Sequence, residues 1–192
     1  MEFKDLVKVR RSCRAFESTI VSDDQVTAIL EAGQWAPSPL NLQPWEFIVI
    51  TDPAVKTKIR EAAEDARQQV VDGGGPGWAG KYAMTFIEDA PVLIVVVCNP
   101  TKGGLGSFFN QNLGAMQAAS ACVQNMMMAA ADMGLGTVWF TFFDPDSLAG
   151  VLNIPENLEI AGVIPVGKPS ASPDAPPRKA GKVHNNLYGN TG

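Results

Sequence analysis

NQNLGAMQAASACVQNMMMAAADM, residues 110–133, is the stretch whose reading decides the fold. Its apolar positions do not keep to one stripe: Ala115, Met116, Ala118, Ala119, Ala121, Val123, Met126, Met127, Met128 and Ala129 occupy nearly every side. The pattern predicts one long helix over 110–133, and a helix apolar on all faces must be covered on all faces. It is either the central helix of the core or packed by one face on a second subunit, and we read it as both. Immediately outward, VLIVVVC at 92–98 has the length and composition of a strand buried on both faces. On the other side, residues 136–142 read as a strand, Asp144-Pro145 opens a short helix to Leu152, and residues 159–166 read as a further strand.

Further out, Phe3, Leu6 and Val7 have helical spacing, which predicts a short helix over 3–9 followed by an irregular or extended stretch over 10–16. Ser22-Asp23-Asp24-Gln25 is a capping box, with Val26, Ile29, Leu30 and Gly33 along one face behind it. That helix must end before Pro37. Residues 36–44, with three prolines and Asn41, form a shaped loop. A strand over 46–51 leads to Asp52-Pro53, which opens another helix with proline at its first position. Residues 72–80 are a glycine-rich loop. From Lys168 on, prolines, glycines and polar residues cannot build a core, so the division expected is one domain over 1–167 and an arm over 168–192 lying on another surface.

The 192 residues are 46% hydrophobic and 18% charged, which suits a globular chain with a real core. A net charge of −5 argues against nucleic acid as a partner. No apolar run has the length of a membrane span, Met1 leads straight into charged residues, and no membrane association is expected. Three scattered cysteines imply no disulfide framework and a cytoplasmic setting. They and a single histidine cannot make a zinc site, and no metal is expected. His184, in the tail and without a G-x-S-x-G elbow, is read as structural or exposed. Residues 75–80 match G-x-G-x-x-G, but the segment before them looks helical and no acidic residue follows at the ribose distance, so they are read as a flexible loop. Trp78 within it is read as a core residue before a pocket residue. Cys13 is read as an ordinary small side chain, although its arginine neighbours would favour a thiolate.

Nine of the fifteen Lys and Arg residues sit in two short stretches at opposite ends of this acidic chain: Lys4, Lys8, Arg10, Arg11 and Arg14, then Lys168, Arg178, Lys179 and Lys182. They are either two solvated surfaces or a convergence on one anion, for which arginine forks and a serine hydroxyl suit a phosphate monoester.

Four segments together resemble the nitroreductase family. Residues 10–16, RRSCRAF, match R-R-S-x-R-x-F; residues 36–45, APSPLNLQPW, match A-P-S-x-x-N-x-Q-P-W; residues 134–139, GLGTVW, match G-L-G-[ST]-x-W; and the tail carries Pro177-Arg178-Lys179 followed by Asn186 and Tyr188. The order and spacing agree over nearly the whole chain. The resemblance implies an α+β fold of three α/β/α layers: a central, mostly antiparallel sheet flanked by helices, with a long central helix and a C-terminal arm. It implies FMN as cofactor and NAD(P)H as cosubstrate, with a nitroaromatic, quinone or related small-molecule electron acceptor and ping-pong turnover in a homodimer. Arg11, Ser12 and Arg178 would hold the phosphate, and Arg10 and Arg14 the ribityl chain and the pyrimidine edge. A fixed cation there stabilises the negative charge that reduction brings to that edge. Pro37, Ser38, Pro39, Asn41 and Gln43 resemble the segment that reaches the flavin from the other subunit. Thr141 falls beside flavin N5, so that Arg14 and Thr141 are the implied catalytic groups. The tail departs from the family in its Ala180-Gly181-Lys182, and residues 67–110 match no motif and name no acceptor. Two alternatives stand beside this reading: another reaction on the same fold, either reductive dehalogenation or oxygen-dependent flavin fragmentation, and a flavin-binding protein without turnover.

Overall fold

The computed structural model describes residues 1–171 and 174–190; positions 172, 173, 191 and 192 of the expected arm lie outside the described residues. The 92–98 run forms β2 (Val92–Cys98), buried at every position. It pairs antiparallel with β1 (Trp45–Ile50) on one side and β4 (Glu159–Gly167) on the other, and a two-residue β3 (Gly136–Thr137) completes the order β1-β2-β4-β3. The period-two alternation of β2 divides its side chains between two cores. Val92, Ile94, Val96 and Cys98 join one cluster, and Leu93, Val95 and Val97 the other. The first is roofed by α2 (Asp23–Gln34) and α5 (Gly114–Asp132), the second by α3 (Pro53–Asp72), α4 (Phe86–Asp89) and α6 (Pro145–Leu152). The result is the three-layer α+β arrangement with a central antiparallel sheet.

The capping signals set the helix starts. Ser22 accepts from the backbone N–H of Gln25 while the Gln25 side chain accepts from the N–H of Ser22, and Asp52 and Asp144 cap α3 and α6 ahead of Pro53 and Pro145. The long helix differs from expectation at its start. It begins at Gly114, not 110, because Asn110 has φ 55°, a left-handed conformation that no helix continues through. It stops at Asp132, where Gly134 at φ 74° lets Leu135 N–H reach the Ala130 carbonyl and Gly134 N–H the Ala131 carbonyl. The chain itself covers most of α5. Within the helix Gln117, Gln124 and Asp132 are exposed, so composition alone does not call for a second subunit there.

The strand expected over 136–142 is also shorter. Phe140 pairs with Val163 in the same register as Gly136 with Gly167 and Thr137 with Val166, but residues 138 and 139 drop out of the ladder. Pro165 stands opposite Val138 in that register, at a pair where the ladder needs an N–H that proline lacks. Beyond Phe140 the pairing meets a bulge in β4. Val97 faces Ile160 and Val96 faces Gly162, which leaves Ala161 as the extra residue of a bulge. The Trp139 indole N–H donates to the Ala161 carbonyl at 2.9 Å, satisfying it, and a side chain at Gly162 would collide with that indole. Beyond the sheet edge, residues 12–17 run extended between β3 and the chain after β4. Cys13 N–H donates to the Thr137 carbonyl, Glu17 N–H to the Lys168 carbonyl, and Ser170 N–H to the Ala15 carbonyl. Residues 168–170 are therefore paired, and the described chain from Asp174 on is the part without secondary structure. Among the described residues no helix is long and apolar enough to cross a membrane.

Candidate cofactor site

The extended stretch after α1 (Phe3–Val9) turns Cys13 inward, where it is 2% exposed, and leaves Ser12 and Arg14 on the surface. The tail comes back over it. Arg10, Arg11, Ser12, Arg14 and Arg178 line one cavity of about 350 Å³, together with Asp174 and Pro176. The two basic ends of the chain thus converge. The Arg11 Nη1 donates to the Arg10 carbonyl at 2.6 Å, which fixes one guanidinium against the backbone. The Arg10 guanidinium is pulled below its ordinary range, first by burial and then by the charges of Arg178 and Arg11. Among the described residues these arginines form no ion pair, so like charges stand together with a single lining carboxylate, that of Asp174. Such a cradle fits an anion with several acceptor oxygens, as a phosphate monoester has. A larger concavity, about 880 Å³, lies elsewhere, beside α6, and presents Asp146, Glu156 and Glu159; its charge is of the wrong sign for a phosphate.

Arg14 leads to a second group. Its Nε donates to the Tyr82 hydroxyl at 2.9 Å, and its guanidinium carbon lies 5.5 Å from the centre of that ring. Tyr82 makes edge contacts with Trp78 and Phe142, whose rings lie 5.6 Å apart, and Phe142 follows Thr141, which is exposed. Trp78 is 58% exposed, so it is a rim residue and not the core residue expected. The loop after α3 carries both aromatics and is tied back to the helix by Arg67, which donates to the Gly80 carbonyl. Sequence reasoning missed Tyr82. Its signal was an aromatic four residues from Trp78 in a glycine-rich segment with no apolar period to bury either one.

The loop over 36–44 is rigid for reasons beyond its prolines. Leu40, Asn41 and Gln43 all have positive φ, Ser38 Oγ accepts from the backbone N–H of Gln43, and Gln43 donates to the Asn41 side chain. Pro37, Ser38 and Pro39 line one open cavity with Gly114, Gln117 and Ala118 at the start of α5. The arginines lie at its other end, where Arg10 and Arg11 share a small cavity with Ala131 and Gly134, and where the Met1 ammonium pairs with Asp132. From Gln117 to Ala131 is about 20 Å at the helical rise. One chain therefore does not bring the loop residues to the arginine cradle.

Elsewhere the three thiols are free and buried. Burial pushes Cys13 up despite Arg14 nearby, Cys98 to about 11 and Cys122 to about 12. His184 accepts from the Gly189 N–H and packs on Tyr188, away from these residues.

A model of the nitroreductase family matches residues 7–168. The chain is 29% identical over 177 residues to a Methanothermobacter thermautotrophicus protein provisionally named NADH dehydrogenase/NAD(P)H nitroreductase, covering 90% of this chain and 80% of that one. It is 26% identical over 191 residues to an iodotyrosine deiodinase of Thermotoga neapolitana, covering 96% and 97%. The solved structure of a nitroreductase family protein from Clostridium novyi NT superposes with a TM-score of 0.75 at 26% identity, covering 100% of this chain and 97% of that one. Oxidized iodotyrosine deiodinase bound to FMN and 3-iodo-L-tyrosine superposes with a TM-score of 0.85 over 96% and 99%, and at 23% identity that likeness speaks to the fold alone.

Proposed function

This chain belongs to the nitroreductase family, and from that premise we propose that it is an FMN-dependent oxidoreductase passing electrons from NAD(P)H to a nitroaromatic, quinone or related acceptor. The observation that carries the reading is the convergence of Arg10, Arg11, Ser12 and Arg178 on one cavity from opposite ends of the chain. Bound FMN would supply the redox chemistry. The protein's own part is to hold the phosphate with Arg11, Ser12 and Arg178, to set a fixed positive charge beside the ring through Arg14, and to offer the Thr141 hydroxyl as a hydrogen-bond donor. The distance of about 20 Å along α5 between the arginines and the loop over 37–43 supports a homodimer in which the loop of one copy closes the site of the other. Three buried free thiols suit a reducing compartment such as the cytoplasm.

A second reading, reductive dehalogenation, is favoured by the near full-length similarity to an iodotyrosine deiodinase. The experiment is to purify the protein, load it with FMN, and follow anaerobic NADH and NADPH oxidation with menadione or nitrofurazone. In parallel, iodide release from 3-iodo-L-tyrosine is measured with a chemical reductant. Acceptor-dependent NAD(P)H oxidation upholds the first reading, and iodide release without it upholds the second. Turnover in neither assay leaves a flavin-binding protein, and a protein that takes up no FMN defeats all three.

A further inference from the structure

Among the described side-chain hydrogen bonds Arg14 makes one, from Nε to the Tyr82 hydroxyl at 2.9 Å. A guanidinium is a rigid plane, so fixing Nε on one side fixes where the two terminal amino groups point on the other. The Tyr82 ring lies under the same cation at 5.5 Å, a second hold on its position. Tyr82 is itself wedged. Its ring meets buried Phe86 edge-on at 6.2 Å, Phe142 at 5.9 Å and Trp78 at 6.0 Å. The contact spans 68 residues of sequence and joins the loop after α3 to the stretch after α1.

We propose that Tyr82 is a positioning residue for Arg14. It holds the guanidinium so that its terminal amino groups face the flavin ring, and it makes the loop after α3 part of the field that sets the flavin's potential. This rests on the reading that FMN binds with its ring beside Arg14. A cation held there favours the reduced flavin, because reduction adds negative charge to that edge; a cation free to swing into water favours it less. Trp78 and Phe142, the one on the rim and the other next to Thr141, flank the same ring. Whatever stacks against Trp78 therefore presses on the residue that aims Arg14.

The test is the midpoint potential of bound FMN in the wild type, Tyr82→Phe, Arg14→Ala and the double variant, with FMN dissociation constants measured in parallel. Tyr82→Phe keeps the ring and its packing and removes only the acceptor. We expect it to weaken binding of reduced FMN about tenfold relative to oxidised FMN, which is about 30 mV downward for a two-electron couple. Arg14→Ala should lower the potential at least as far, and adding Tyr82→Phe to it should change nothing more. A drop on Tyr82→Phe that persists without Arg14 would show that Tyr82 acts through loop packing and overturns the proposal. So does an unchanged potential in Tyr82→Phe when Arg14→Ala shifts it, with the FMN reading intact. A wild-type protein that takes up no FMN overturns both, and is seen before any variant is made.

Discussion

Arg10, Arg11 and Arg178 hold their charges close together, and that arrangement costs free energy in the absence of an anion. A cradle of this kind suits the charged end of the proposed FMN and predicts a selectivity. Arg11→Ala or Ser12→Ala should weaken FMN binding by on the order of 1.5–3 kcal/mol and riboflavin binding far less, because riboflavin lacks the phosphate. Titration of the apoprotein with both ligands checks this, and equal losses would place the phosphate elsewhere. The convergence of the two basic stretches on one cavity was legible as one of two readings of nine basic residues at opposite ends of an acidic chain. Ser12 entered only through the resemblance of residues 10–16 to R-R-S-x-R-x-F. Tyr82 was not legible. Its partner Arg14 lies 68 residues away, and neither periodicity nor spacing reports a contact of that kind. Trp78 was misread for a related reason: a large aromatic is usually buried, and what holds this one on the rim is a cluster assembled from the separate segments around Tyr82 and Phe142.

At the scale of elements, the crossing of α2 over α5 turns on Gly33. A Cβ there would stand 2.8 Å from Met126 Cγ and 2.9 Å from Cys122 Sγ, closer than side chains approach. Gly33→Val should therefore overpack the crossing and cost about 1–3 kcal/mol, a drop of several degrees in Tm for a domain of this size. An unchanged melting curve would show that the two helices part more easily than their packing implies. Buried thiols on α5 and β2 predict a pH dependence. Burial raises the Cys122 thiol from 9.0 to about 12, and Cys98 rises to about 11. A folded-state pKa raised above the unfolded one means that the folded chain keeps its protons longer. Stability from this source is then complete below pH 9 and is lost as pH climbs towards the folded values. Urea unfolding at pH ~8 and ~10 should show a loss that is smaller in Cys122→Ala than in the wild type; equal losses would assign the dependence to other groups. Helix starts were legible wherever a side chain caps them, as Ser22, Asp52 and Asp144 do. The start of α5 was not, because the break is a backbone conformation at Asn110 and no capping side chain marks it. The short β3 depends on Pro165 standing opposite Val138 in the neighbouring strand, a pairing that only the assembled sheet reveals.

At the scale of the whole molecule, residues resembling a single flavin site sit at opposite ends of α5. If the loop over 37–43 completed the cradle of its own chain, no second copy would be needed. If it completes the cradle of a partner, two defective chains can repair each other. We expect a dimer by sedimentation at low micromolar concentration, with thermal stability that rises with protein concentration. The sharper measurement mixes two variants. One carries Arg11→Ala and Arg14→Ala with its loop intact; the other carries Asn41→Ala and Gln43→Ala with its arginines intact. Each alone should bind FMN poorly. After unfolding and refolding together, roughly half of the dimers are mixed. By two-fold symmetry each mixed dimer has one site with both defects and one site with neither. About a quarter of all sites should then regain tight FMN binding and its absorbance. A site built within one chain gives no such recovery, because every chain in the mixture carries a defect. Recovery near a quarter supports the shared site; none, with both variants folded and dimeric, returns the loop to its own chain.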